Sequence, residues 1–249
     1  MDAALKASYE ECKRLNSLHG KTYYLATLLL PAEKRPYVHA LYGFARYADE
    51  IVDDLASTLS PQEKADALRS WSSGVLADLK AGTSSDHIGR ALVHTARKFD
   101  IPHQHFVDFL HSMEMDLTVT EYQSYEDLLE YVYGSAAVIG LEMVPILGYS
   151  DQRAYEAAKK LGIAFQLANF IRDVGEDLDR GRVYLPLQEL AKFGVDRAAL
   201  ERRTLTPEII AALKLQIARV RQLQAEAEIG ITYLDKVSRP CIRAASELY

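Results

Sequence analysis

Residues 161–174 read LGIAFQLANFIRDV, and this stretch decides the fold class. It is apolar on nearly every side for about four turns, the pattern of a helix sunk in the body of a helical protein. One polar stripe runs through it: Gln166, Asn169, Asp173 and, just beyond, Asp177, at steps of three and four residues that place all four on one face. Burying such a stripe without partners costs about 1–3 kcal/mol per neutral polar group and more for a charge. A wet lining that holds something positive is the less costly explanation.

A second acidic stretch lies far upstream. DEIVDD at 49–54 sets Asp49 and Asp53 four residues apart, the same interval that separates Asp173 from Asp177. Acids at that spacing are common on solvated helix faces, so the spacing alone decides little. Here the lead-in at 42–48, YGFARYA, is apolar apart from Arg46, one turn before Asp49, and Arg172 directly precedes Asp173. A cation beside a carboxylate keeps it ionised and can also grip a phosphate. Two carboxylate pairs facing one another across a cavity can hold hard divalent cations, and those cations can hold a diphosphate.

Composition narrows the class. With 249 residues and 49% hydrophobic content the chain can bury a sizeable core, and no shift in composition marks a linker, so one domain over 1–249 is expected. The formal charge of -6, without a basic run, argues against a general nucleic-acid binder. Cys12 and Cys241 follow no ligand spacing and predict reduced thiols. The start, MDAALKASYEECKRLNSLHG, lacks the basic head, apolar stretch and cleavage site of a signal peptide, and no uninterrupted apolar run reaches the ~20 residues of a membrane span. A soluble, cytoplasmic protein is the expectation.

Helical periodicity holds almost throughout, without sustained strand-type alternation. Ser60-Pro61-Gln62-Glu63 predicts a capping box, Ser124 to Asp127 and Thr206-Pro207-Glu208 predict two more helix starts, and Gly148 and Gly194 predict helix ends. LLEYVYGSAAVIGLEMVPIL at 128–147 reads as one helix that Pro145 kinks; its small residues from Gly134 to Gly140 serve either close helix packing or room for a ligand. His103 and His105 are expected on the surface, and Met113 and Met115 in core or cavity wall. No glycine-rich phosphate loop follows a strand, so no nucleotide is implied.

Four segments together resemble the squalene and phytoene synthase family: HGKTYYLATLLLP at 19–31, ALYGFARYADEIVDD at 40–54, YVYGSAAVIG at 131–140 and QLANFIRDVGEDLDRGRVYLP at 166–186. The resemblance runs from near the start to the last residue, and the wording is most similar to bacterial phytoene synthases. It implies an all-α isoprenoid synthase fold with helices around a central active-site cavity. It implies Mg²⁺ held by Asp49, Asp53, Asn169, Asp173 and Asp177, diphosphates gripped by Lys21, Arg46 and Arg172, and Tyr131 and Gln166 at the reacting centre, with Thr22, Tyr23 and Tyr42 at nearby substrate-binding positions.

The activity so implied is head-to-head (1'-1) condensation of two geranylgeranyl diphosphates, through a cyclopropylcarbinyl diphosphate, to phytoene, a C40 carotenoid precursor. The alternatives are a C30 enzyme using farnesyl diphosphate, a related terpene cyclase, and a non-catalytic helical assembly protein. No obligate protein partner is implied; peripheral contact with a membrane would serve release of an apolar product. Family chains continue past SRPCIRAASELY, at 238–249, by roughly another helix. Its lack here carries the expectation of reduced or altered activity.

Overall fold

Helix starts fall where the capping signals predict them. The computed structural model describes residues 1–53 and 58–249, with the backbone alone at Asp53. Asp54, the last acid of the upstream motif, lies outside the described residues. In chain order the helices are α1 Ala3–His19, α2 Lys21–Thr27, α3 Arg35–Asp53, α4 Pro61–Ala81, α5 Gly89–Lys98, α6 His103–Met115 and α7 Tyr125–Val132. After a π-helical turn, Tyr133–Ala137, come α8 Val138–Leu147, α9 Arg153–Arg172, α10 Val174–Asp179, α11 Leu187–Ala191, α12 Arg197–Glu201, α13 Pro207–Ile231 and α14 Arg239–Leu248. Among the described residues the only β pairings are isolated bridges, Glu121 with Val183 and Tyr149 with Leu234.

Capping boxes form at Ser60 with Glu63 and at Ser124 with Asp127, and Thr206 caps α13 by accepting from the Ile209 amide. Gly148 and Gly194 end their segments at positive φ, 75° and 72°. Both cysteines are free and buried.

Two apolar clusters hold the helices together. Phe44, Leu92, Phe106 and Ile146 belong to the first, built from α1, α3–α6 and α8; Leu128, Val132, Leu167 and Leu190 belong to the second, with α7, α9 and α13. Helix α9 joins them, since Ala154 near its start packs in the first cluster and Ile163 to Phe170 in the second. That position puts the polar stripe of α9 in the middle of the bundle.

Two departures from the sequence expectation bear on the site. The 128–147 stretch is not one regular helix: a π-helical turn interrupts it at Tyr133–Ala137. Helices approach closely here: a Cβ on Gly134 would stand 2.1 Å from the Asp108 carbonyl oxygen of α6, and one on Gly140 would stand 2.4 Å from that of Ala158 on α9. At these glycines, close packing is what the small residues serve. Second, α9 breaks at Asp173 (φ -101°, ψ 13°) and α10 begins one residue later. The run Tyr125–Leu147 is long and apolar enough to cross a membrane, by length and composition; here it packs against α6 and α9. His105 is partly buried, its Nδ1 without a partner, where the surface was expected.

Candidate active site

Helix α3 is two-faced. Leu41, Phe44, Ala48 and Val52 are buried, at 5% exposure or less. Phe44 is wedged against Trp71, Phe106 and Phe109 at ring separations of 5.6, 5.5 and 5.1 Å. Removing so embedded a ring costs about 3–5 kcal/mol, so this face fixes the helix. Tyr42, Arg46 and Asp49 follow one another at helical spacing on another face and keep partial exposure. Arg46 Nε donates to Glu50 at 3.1 Å. Burial pushes the Tyr42 phenol up to about 12.

The corner between α1 and α2 packs onto that face. A Cβ on Gly20 would stand 2.5 Å from the Tyr42 ring, so only glycine lets Lys21 start α2 there. Lys21 is exposed, and Thr22 and Tyr23 are partly buried. The Tyr23 ring lies 6.5 Å from that of Tyr42, and burial with Tyr249 beside it holds the Tyr23 phenol well above its usual range.

On α9, Gln166 and Asn169 are only partly buried although the helix is central, as a lining requires. Asn169 Nδ2 donates to Gln166 Oε1 at 3.4 Å, while Asn169 Oδ1 is buried and has no partner. Arg172 grips the Asp173 carboxylate at both ends, Nε at 2.7 Å and a terminal nitrogen at 2.6 Å, which raises its guanidinium above the ordinary range. Asp177 lies on α10, one hydrogen-bonded turn on: its amide donates to the Asp173 carbonyl at 2.9 Å, and its carboxylate is 3.9 Å from Arg180. The four-residue interval therefore survives the break.

Tyr249 and Tyr131 connect the two motifs. Tyr249 stacks on Phe165 of α9 at 4.4 Å, lies 5.5 Å from the Tyr23 ring, and neighbours Arg172. Tyr131 is buried against Phe170 of α9 at 6.2 Å, and the Asp49 charge reaches it from α3. Its hydroxyl donates to Asp116 at 2.6 Å. Burial, then the Asp116 charge, holds the Tyr131 phenol well above the usual range.

A hard divalent cation fits this donor set. The Asn169 side-chain carbonyl oxygen, on the face that leads to Asp173 and Asp177, is buried and unpartnered, which is the condition of a ligand atom awaiting a cation. Among the described residues no three His, Cys, Asp or Glu side chains come together as a group that could hold a metal ion by themselves. Magnesium keeps several waters and substrate phosphates rather than demanding an all-protein cage. The Asp53 side chain lies outside the described residues.

Asp116, Arg182, Tyr184 and Tyr249 belong to this neighbourhood but were not among the expected site residues. Arg182 and Tyr184 stand within the RGRVYLP string and could have been read from it. Asp116 and Tyr249 carry no local signal: each reaches the site only through tertiary contact.

The chain matches the family described as squalene/phytoene synthase over residues 17–249. It is 39% identical to phytoene synthase 2, chloroplastic, of Zea mays, over 97% of this chain and 61% of that protein. To phytoene synthase 1, chloroplastic, of Arabidopsis thaliana it is 38% identical, over 98% and 58%. The chain thus spans about three fifths of the length of these relatives. A dehydrosqualene synthase crystallised with a ligand superposes with a TM-score of 0.90 at 27% identity, over 98% of this chain and 84% of that one. For squalene synthase HpnC from Alicyclobacillus acidocaldarius the TM-score is 0.87 at 24% identity, over 98% and 91%, a likeness of fold.

Proposed function

Because the chain belongs to the squalene/phytoene synthase family, we propose that it condenses two geranylgeranyl diphosphates head to head into phytoene, as a magnesium-dependent prenyltransferase. The observation that supports this reading is the link between the regions that carry the two motifs: the Asp49 charge reaches Tyr131, which packs on Phe170 of α9, and Tyr249 joins Tyr23 to Phe165 and Arg172. When bound, Mg²⁺ supplies positive charge to the departing diphosphate. Asp49 and Asp53 on one side, with Asn169, Asp173 and Asp177 on the other, would hold it.

The rest is the work of the chain. Arg46, Lys21 and Arg172 accept the charge that builds on the diphosphate as the allylic carbon–oxygen bond breaks. To do so Arg172 exchanges the carboxylate of Asp173 for phosphate oxygen. Tyr23 and Tyr42, kept protonated by their burial, donate hydrogen bonds at the same end. Tyr131 and Gln166 face the carbocation while the walls of Phe165 and Phe170 exclude water that would quench it to an alcohol. Capture by the second chain's double bond and loss of a proton give the cyclopropylcarbinyl diphosphate. Its ionisation and a second proton loss give the triene, without reductant. Peripheral membrane contact would let the apolar product leave.

The test is incubation of the purified protein with Mg²⁺ and, separately, geranylgeranyl and farnesyl diphosphate, without NADPH, followed by mass analysis of the apolar extract. A C40 triene is expected. C30 hydrocarbon from the shorter substrate alone would reassign the chain length, and a ring product of one substrate's carbon count would make it a cyclase.

A further inference from the structure

Asp116 lies just past the end of α6 and belongs to neither acidic motif. Each of its carboxylate oxygens accepts from a buried tyrosine: Oδ2 from Tyr131 at 2.6 Å and Oδ1 from Tyr184 at 2.7 Å. Arg182 donates to the Asp116 backbone carbonyl at 2.8 Å and to the Tyr184 hydroxyl at 3.4 Å. Around the pair Tyr131 and Tyr184, 5.4 Å apart, stand Tyr122 and Phe170, the latter stacked on Tyr184 at 4.1 Å. Bonds this short to a carboxylate are the charge-assisted kind, and the surrounding rings exclude competing water.

The direction of the bond matters. The single hydroxyl proton of Tyr131 is committed to Asp116, which leaves the oxygen lone pairs as what Tyr131 can offer a reacting carbon centre. A standing phenolate is disfavoured, since burial and the neighbouring carboxylate both hold that proton in place. A neutral phenol accepts a proton well only if its own proton leaves in the same motion. A carboxylate at 2.6 Å is placed to take it.

We propose that Asp116 is the terminal acceptor of the first proton lost during coupling, reached through the Tyr131 hydroxyl. In that step a C–H bond next to the cationic centre breaks, and its electron pair forms the carbon–carbon bond that closes the cyclopropane. The proton passes to Tyr131 Oη, the Tyr131 proton passes to Asp116 Oδ2, and the step ends with a neutral tyrosine and a neutral aspartic acid. Asp116 acts through Tyr131, so it is a positioning and relay residue; Tyr184 and Arg182 hold it in register. We assign the first loss because Tyr131 packs on Phe170 of α9, the helix that leads into the downstream acidic motif. This inference rests on the head-to-head reading above.

The experiment compares wild type, Asp116→Asn, Asp116→Glu and Tyr131→Phe with geranylgeranyl diphosphate and Mg²⁺, measuring diphosphate release, C20 alcohols and C40 products together. Asparagine keeps the size and one of the two hydrogen-bond acceptors but not the base. Asp116→Asn should lower C40 formation by about 10²-fold while diphosphate release falls much less. The ratio of alcohol to C40 product should therefore rise at least about tenfold, and Tyr131→Phe should shift it the same way. Asp116→Glu should bring the ratio back toward wild type, which a merely structural role would not do. An unchanged ratio in Asp116→Asn, with release and coupling falling in step, overturns the relay and leaves a diphosphate oxygen as the base. If thermal unfolding shows that Asp116→Asn does not fold, the ratio in Tyr131→Phe decides by the same rule. Wild type that releases diphosphate but makes no C40 product overturns the prenyl-transfer reading itself, and the relay with it.

Discussion

Asp116 and Glu142 both bring a carboxyl against the same helical run, Tyr125–Leu147, one near its start and one near its end, and they live in opposite conditions. Asp116 has a buried tyrosine hydroxyl on each oxygen. Glu142 is 0% exposed and neither of its oxygens has a partner. One turn away on either side of it are Val138 and Ile146, both in the first apolar cluster. Burial alone drives the Glu142 carboxyl well above its ordinary value, so it is carried as a neutral acid. A carboxyl becomes an instrument when the fold supplies hydrogen bonds that keep it charged and aimed; without them it is a burden on stability.

The largest effect belongs to the acids of the two motifs. Asp173→Ala or Asp49→Ala should lower turnover by several orders of magnitude with the thermal midpoint little changed, checked by product assay and calorimetry on the same samples. Normal turnover in both variants would sink the metal assignment. Next comes Asp116→Asn, with its product ratio as described. Glu142→Met marks the other pole: turnover should stay near wild type while stability rises by about 1–3 kcal/mol. For a chain of this length that is about 2–4 °C in midpoint per kcal/mol. A loss of stability would show that Glu142 has found a partner in solution.

The pH dependence should separate the two acids as well. An unfolded glutamate ionises near its ordinary value of 4.5, whereas Glu142 in the folded chain keeps its proton far above it. Above that pH the unfolded state therefore binds fewer protons than the native state, and stability falls as pH rises, by about 1.4 kcal/mol per unit from this group. Urea unfolding of wild type between about pH 5 and 7 should show that fall relative to Glu142→Met; parallel curves would refute it. The smallest effect is expected at the surface, where Ser60→Ala breaks the exposed capping box of α4 and should cost about 1 kcal/mol, read from urea midpoints.

Local physics made much of this legible in the chain. The stripe Gln166, Asn169, Asp173 stood out because an apolar helix makes its polar residues conspicuous, and the caps at Ser60, Ser124 and Thr206 were legible because they involve neighbours three residues apart. What escaped depends on contacts distant in sequence. The π-helical turn lies where α6 packs directly on Gly134, and Asp116 matters because α7 and the 182–184 segment bring two tyrosines to it. Tyr249 enters the site through its fit between Tyr23 and Phe165. None of these leaves a periodic trace.

The most direct test of the central claim is the product made from geranylgeranyl diphosphate with Mg²⁺ and no NADPH. A C40 triene that disappears on chelation with EDTA is the predicted result. An apolar extract holding only C20 alcohols or C20 rings, from folded protein with Mg²⁺ in excess, would contradict head-to-head coupling.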